Sequence, residues 1–330
     1  MEWTHEQYRL AKRDLRRKFG VVGWILLVYY GILNVSVLVS SMVELVAALF
    51  RAIGTRDLGA IAGVASHVTE SAWGYFLGAA VGFVILLVWK KPRYWKAEIW
   101  KRGRPMKLGS FLGILSLFLS GQLVYQLVMM GAEILCNLFG LSVLRGMEAV
   151  AMDNTNFTMF LYGGILAPIT EEILFRGLVQ RTLEPYGKRF AILCSSFAFG
   201  IFHGNLFQAP YAFLVGLVLG YVASEYSIAW AMVLHMVNNL VLGDMLPRLT
   251  SGMPEMAAAL VMWLILLTSA VVSVVVLIVK RRDIRAYRRD NAISGVYVGC
   301  FFSSPGVIAL MIVMGISMVA SLFLLITPIF

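Results

Sequence analysis

The chain has 330 residues, of which 60% are hydrophobic and only 14% charged, and its mean hydropathy is +0.81. Soluble domains run nearer half apolar and a quarter charged, so the composition excludes an ordinary soluble protein and predicts an all-α, polytopic membrane helix bundle. The net charge of +10 does not read as nucleic-acid binding. Lys and Arg are gathered in blocks between apolar runs, and no stacking aromatics alternate with a basic groove.

Residues 1–20 carry six of the 28 Lys and Arg and read as a basic cytoplasmic tail. The first apolar run starts at Val21 and continues for about 30 residues, longer than the 7–15 of a secretory h-region, which predicts an uncleaved span. Neither end carries a lipidation signature. A span needs roughly 20 apolar residues. On that measure the predicted helices lie near 21–50, 72–89, 109–140, 157–182, 190–207, 211–224, 228–245, 257–279 and 301–327, about eight or nine transmembrane helices. With the N-terminus inside, nine spans place 90–107, 183–189 and 280–289 inside. Two of these loops hold eight and six basic residues, as the positive-inside rule requires. The segments 51–71, 141–156 and 246–256 fall outside, and the first has room for a short surface helix. The 14 residues of 211–224 give about 21 Å of helix, short of a roughly 30 Å core. A re-entrant pair over 190–224 is the other reading, and it preserves the parity of every later segment. Gly78 and Gly82, Gly200 and Gly204, and Gly216 and Gly220 have the four-residue spacing that lets helix backbones approach. Cys136, Cys194 and Cys300 sit far apart in apolar runs and read as small buried hydrophobes, not as metal ligands.

The stretch GGILAPITEEILFRGLVQR, residues 163–181, puts three ionisable groups inside an oily run, where each is costly and usually functional. Glu172 and Arg176 are spaced i,i+4 with the glutamate first, the favoured order for an ion pair. Adjacent helical residues point about 100° apart, so Glu171 faces away from that pair. The expected division of labour has Arg176 neutralising Glu172 while Glu171 stays available for chemistry. Two histidines also lie in apolar segments: His203 shares a face with Phe199, and His235 shares one with Asn239. Counted from the inner helix ends at 1.5 Å per residue, Glu171 lies about 16 Å deep, His203 about 20 Å and His235 about 10 Å. A carboxylate, two imidazoles and an amide converging at mid-membrane describe a general-base hydrolysis site. Taken singly, each has a blander reading: a packing ion pair, a carbonyl-bonded histidine, an interhelical amide.

These residues resemble a known family. EEILFR (171–176), FGIFH (199–203) and HMVNN (235–239) match, in order, the EExxxR, FxxxH and HxxxN motifs of the CAAX-protease and bacteriocin-processing (CPBP, or Abi) membrane proteins. The likeness covers 157–245, about a quarter of the chain. It divides the sequence into the tail, N-terminal membrane helices at 21–156, a CPBP-like catalytic core at 157–245 and C-terminal membrane helices at 246–330. The resemblance implies that Glu171 and His203 activate a water, that His235 and Asn239 stabilise the oxyanion, and that Glu172, Arg176 and Phe199 support them. It implies metal-independent chemistry with no cofactor. The implied substrate is a membrane-associated protein or peptide: a CAAX-type protein, a pheromone or a bacteriocin precursor. Two other readings stand beside this one. One is a zinc peptidase using His203, His235 and a glutamate, although HExxH is absent. The other is a non-catalytic bacteriocin-immunity or scaffold protein. The expected location is the bacterial cytoplasmic membrane, with the lipid bilayer and a peptide substrate as partners and no nucleic acid.

Overall fold

The computed structural model describes residues 5–55, 72–144 and 157–328. The described residues form twelve helices: α1 (His5–Thr55), α2 (Trp73–Trp89), α3 (Pro92–Ile99), α4 (Leu108–Asn137), α5 (Phe157–Tyr186), α6 (Lys188–Phe202), α7 (Gln208–Glu225), α8 (Ile228–Thr250), α9 (Glu255–Val279), α10 (Arg281–Asp290), α11 (Gly295–Phe302) and α12 (Pro305–Leu325). The two-residue strands β1 (Leu141–Ser142) and β2 (Thr327–Pro328) pair antiparallel. The all-α membrane bundle expected from composition is what the chain forms.

The span count differs from the nine apolar runs. By length and composition, six helices suffice to cross a membrane: α1, α4, α5, α8, α9 and α12. The pair α2–α3, bent by 105°, raises this to seven. The remaining difference is α6 and α7. At 15 residues, α6 is about 22 Å long and short of the bilayer core, while α7 carries Gln208, Pro210 and Glu225 in its 18 residues. They pack as an antiparallel hairpin, with Ile192 against Gly220 and Ser196 against Gly216. The turn between them passes through Gly204 at φ +60°, a conformation glycine adopts without a Cβ penalty. Gly204 therefore serves a turn, not the helix approach its spacing predicted. The basic tail is not a separate element either, because residues 5–20 are the first turns of α1. No proline interrupts that 51-residue helix, which at about 77 Å overruns any bilayer core. Of the predicted loops, 56–71 and 145–156 lie outside the described residues.

Small residues set the helix register. On α2, a Cβ at Gly74 would lie 2.6 Å from Val37 Cα, one at Gly78 3.0 Å from Leu33 Cα and one at Gly82 2.5 Å from the Tyr29 ring. One stripe thus seats α2 antiparallel on α1. On the other face of α1, Gly20 and Gly23 meet Gly306, and Tyr30 Oη lies 3.2 Å from Ser317 Oγ. Both numbers rise together, so α12 runs parallel to α1. A methyl group at Gly23 would enter the Gly306 backbone. Gly23→Ala is accordingly expected to cost about 1–3 kcal/mol, read as a lower thermal midpoint of the protein in detergent. The same substitution at Gly31, which has open space around it, should leave the midpoint unchanged.

The basic segments meet on one side of the bundle. Gly103 N–H donates to Tyr226 O and Arg104 N–H to Glu225 O, Lys188 pairs with Glu225 at 2.9 Å, and Arg189 Nη1 donates to the Arg288 carbonyl. The three segments predicted to share a side, 90–107, 183–189 and 280–289, therefore do so.

Candidate active site

The site is organised by α5, the most buried of the six candidate spans: every residue from Ile173 to Gln180 is buried. Its backbone is π-helical at Tyr162–Leu166 and Ile173–Gln180, flanking the α-helical turn Ala167–Glu172. Pro168 removes the N–H that would bond Gly164, and its ring crowds that carbonyl. This accounts for the wider turn just before it. Val237–Met245 in α8 is π-helical ahead of Pro247 for the same reason. Such wide turns recur at functional sites.

Glu172 is wholly buried, and its Oε1 accepts from Arg176 Nη1 at 3.0 Å and from His235 Nδ1 at 3.0 Å. Arg176 donates through Nη2 to the Gly216 carbonyl at 3.3 Å, and its guanidinium lies 4.3 Å from the Phe199 ring centroid. Glu171 is different. Its side chain is 29% exposed, and Oε2 stands 3.9 Å from His235 Nε2. It also lies within electrostatic reach of the Tyr29 and Tyr162 hydroxyls. Adjacent in sequence, the two carboxylates occupy opposite sides of one imidazole, as the 100° offset predicted. With Nδ1–H donated to Glu172, His235 turns Nε2 toward Glu171, so the buried pair fixes the orientation of the ring.

Phe199 joins the second histidine to this group. Its ring meets His235 edge-on with centroids 5.8 Å apart and His203 edge-on at 4.9 Å. His203 Nδ1 hydrogen-bonds Phe199 O at 2.8 Å; since a carbonyl only accepts, Nδ1 carries the proton and Nε2 is left as an acceptor. His203 ends α6, where the chain turns at Gly204.

Asn239 is placed beside the site but is committed elsewhere. Its Nδ2 donates to Gly163 O at 2.8 Å, and its Oδ1 accepts from Asn238, whose own Oδ1 accepts from Tyr211. One N–H of the amide remains for another acceptor. Of the seven predicted residues, the structure brings together Glu171, Glu172, Arg176, Phe199, His203 and His235. It ties Asn239 to the α5 backbone at Gly163, about two turns before the carboxylates. Among the described residues, no group of three His, Cys, Asp or Glu side chains is gathered as metal ligands.

Residues 153–241, which hold all seven positions, match the family model described as type II CAAX prenyl endopeptidase Rce1-like. This segment, about a quarter of the chain, is similar to the Rce1-like family, a likeness that supports a CAAX-type intramembrane protease at family level. No curated protein and no solved structure matches the chain significantly.

The matched segment contains a buried polar residue, Gln180, that the motifs do not name. Glu172, Arg176, Gln180 and Glu184 follow one another at intervals of four, and Gly216, Gly220 and Ser224 do the same on α7. The two rows bond in constant register: Arg176 to Gly216 O, Gln180 Nε2 to Gly220 O and Ser224 Oγ, and Ser224 Oγ to Glu184 Oε1. The helices therefore run parallel, zipped by polar side chains on backbone carbonyls that glycine leaves open. A Cβ at Gly220 would lie 2.8 Å from Gln180 Oε1 and 3.0 Å from Ile192. Gln180 is fully buried. The i,i+4,i+8 repeat was visible in the sequence once Glu172 and Arg176 were recognised. Gln180→Leu removes two buried hydrogen bonds, an expected loss of about 1–3 kcal/mol, seen as a lower thermal midpoint in detergent.

Proposed function

We propose that the chain is an intramembrane glutamate-dependent endopeptidase acting on a membrane-associated protein or peptide of CAAX, pheromone or bacteriocin-precursor type. Glu171 takes a proton from a water, the resulting hydroxide attacks the scissile carbonyl, and the proton passes to the leaving amine as the tetrahedral intermediate breaks down. His203 Nε2 accepts from the same water. The remaining Asn239 N–H, and His235 through an Nε2–H when its ring carries both protons, donate to the developing oxyanion; in other hydrolases one such donor is worth about 3–4 kcal/mol. The observation that carries this reading is the contrast between the two neighbouring carboxylates. Glu172 is spent on Arg176 and His235, whereas Glu171 is part-exposed with His235 Nε2 at 3.9 Å. A general base needs an unneutralised carboxylate with room for water beside it.

The test uses purified full-length protein in liposomes with peptides ending in CAAX-type sequences, with and without a prenyl group on the cysteine, product being followed by mass spectrometry. Cleavage by the wild type and its loss in Glu171→Ala are the expected results. A preference for the prenylated peptide would assign the CAAX class. Equal cleavage by Glu171→Ala would overturn the glutamate mechanism, and no cleavage by the wild type would leave the scaffold reading.

A further inference from the structure

The glycine stripe that seats α2 on α1 ends abruptly. Gly74, Gly78 and Gly82 contact Val37, Leu33 and Tyr29, but the next residue at that spacing is Leu86. From there to the basic side a bulky side chain replaces hydrogen, and the helices stand apart. The result is a groove of about 250 Å³ with a wholly apolar lining that includes Trp24, Val28, Tyr29, Ile85, Leu86 and Trp89. Trp24, Val28, Ile85 and Trp89 are exposed on its walls, so it opens sideways toward lipid.

At the basic end the groove meets a second hollow of about 390 Å³. The two share Trp89, and the second is lined by Lys90, Lys91, Arg93, Tyr94 and Glu98. It forms because the chain turns 105° between α2 and α3, which lays the first turns of α3 across the end of α2. Lys90 Nζ lies 4.1 Å from the Trp89 ring centroid and 4.4 Å from that of Tyr94. The hollow therefore holds three cations and one carboxylate, and among the described residues none of the three cations has an ion-pair partner. The site is thus bipartite, an apolar slot of chain width running into a cationic cup at the level where Trp and Tyr mark the membrane boundary. Cationic pockets beside transmembrane helices on the basic side recognise anionic lipid headgroups.

We propose that this composite groove binds one anionic phospholipid, its acyl chain between α1 and α2 and its phosphate on Lys90, Lys91 and Arg93. Charge complementarity and the continuity of slot and cup select this occupant over a neutral lipid or a peptide. The site also touches the catalytic helix. Tyr94, which lines the cup, donates its hydroxyl to Gly177 O at 2.8 Å, one residue beyond Arg176. The assignment does not depend on the peptidase reading.

The tryptophans supply the readout. Full-length protein is reconstituted with phosphatidylglycerol or phosphatidylcholine brominated in the acyl chains, and quenching of Trp24 and Trp89 is taken as the difference from a Trp24→Phe/Trp89→Phe variant. The brominated phosphatidylglycerol is expected to occupy the groove about tenfold more tightly than phosphatidylcholine, a difference of about 1.4 kcal/mol. That preference should vanish in Lys90→Gln/Lys91→Gln/Arg93→Gln, while phosphatidylcholine quenching, which reports an intact groove, is retained. Arg282→Gln/Arg285→Gln, on the exposed face of α10, should keep the preference. Equal quenching by both lipids would show annular contact alone and overturn the proposal. So would a preference that survives the triple substitution, or displacement of the anionic lipid by inorganic phosphate.

Discussion

Replacing Glu171 by glutamine is expected to lower peptide hydrolysis by about 10²–10⁴-fold, the usual contribution of a general base, while leaving the thermal midpoint close to the wild-type value. The side chain is 29% exposed and accepts no hydrogen bond from any described residue, so an amide of the same shape disturbs little packing. Its loss of charge, however, removes the only carboxylate beside His235 that is free to take a proton. The neighbouring substitution should behave in the opposite way. Glu172→Gln leaves the Arg176 guanidinium, buried to 1% exposure, without its anion, and the folded state should suffer before catalysis can be measured. Thermal midpoints in detergent and single-turnover rates on a prenylated CAAX-type peptide, taken on both variants, separate the two carboxylates. A stable Glu171→Gln protein that hydrolyses at the wild-type rate would show that the exposed glutamate is not the base.

That two adjacent glutamates divide in this way was legible from sequence because helix geometry fixes the angle between neighbours. The motif histidines were legible too: i,i+4 spacing puts Phe199 and His203 on one face, and the structure stacks both imidazoles edge-on against Phe199. The sidedness of the basic segments followed from the positive-inside rule, which counts charges and tolerates errors in helix ends. What could not be read depends on contacts between segments. That α6 and α7 fold back on each other is set by Gly204 at positive φ and by the Ser196–Gly216 contact, neither of which alters hydropathy. The π-turns depend on Pro168 and Pro247 sitting inside helices that tertiary packing preserves, where local propensity would end them. The engagement of Asn239 with Gly163 O crosses from α8 to α5 and leaves no periodic trace. Gln180 is the instructive omission, since its role requires knowing that Gly216 and Gly220 present carbonyls in register beside it.

Arg176→Met is the substitution expected to do most harm to the fold. Removing one partner of a buried ion pair costs about 3–5 kcal/mol, because the survivor is left charged in a medium that cannot solvate it. Here the survivor is Glu172, at 0% exposure, followed by eight residues that are all buried. The same change removes the hydrogen bond to Gly216 O and the stacking on Phe199, so methionine of similar length recovers packing but none of the polar contacts. Lysine is no remedy, since a point charge cannot bridge a carboxylate and a carbonyl while lying flat on an aromatic ring. The double variant Glu172→Gln/Arg176→Met should recover part of the loss, because no uncompensated charge remains. The deficit measured against the two single variants gives their coupling, expected at about 1–3 kcal/mol for residues in one network. Thermal midpoints in detergent for all four proteins close the cycle. Additive losses would mean that the pair is incidental to packing. Coupling accompanied by lost hydrolysis in Arg176→Met, which still carries Glu172, would show why the site keeps an expensive ion pair: Glu172 orients His235 only while Arg176 holds Glu172 in place.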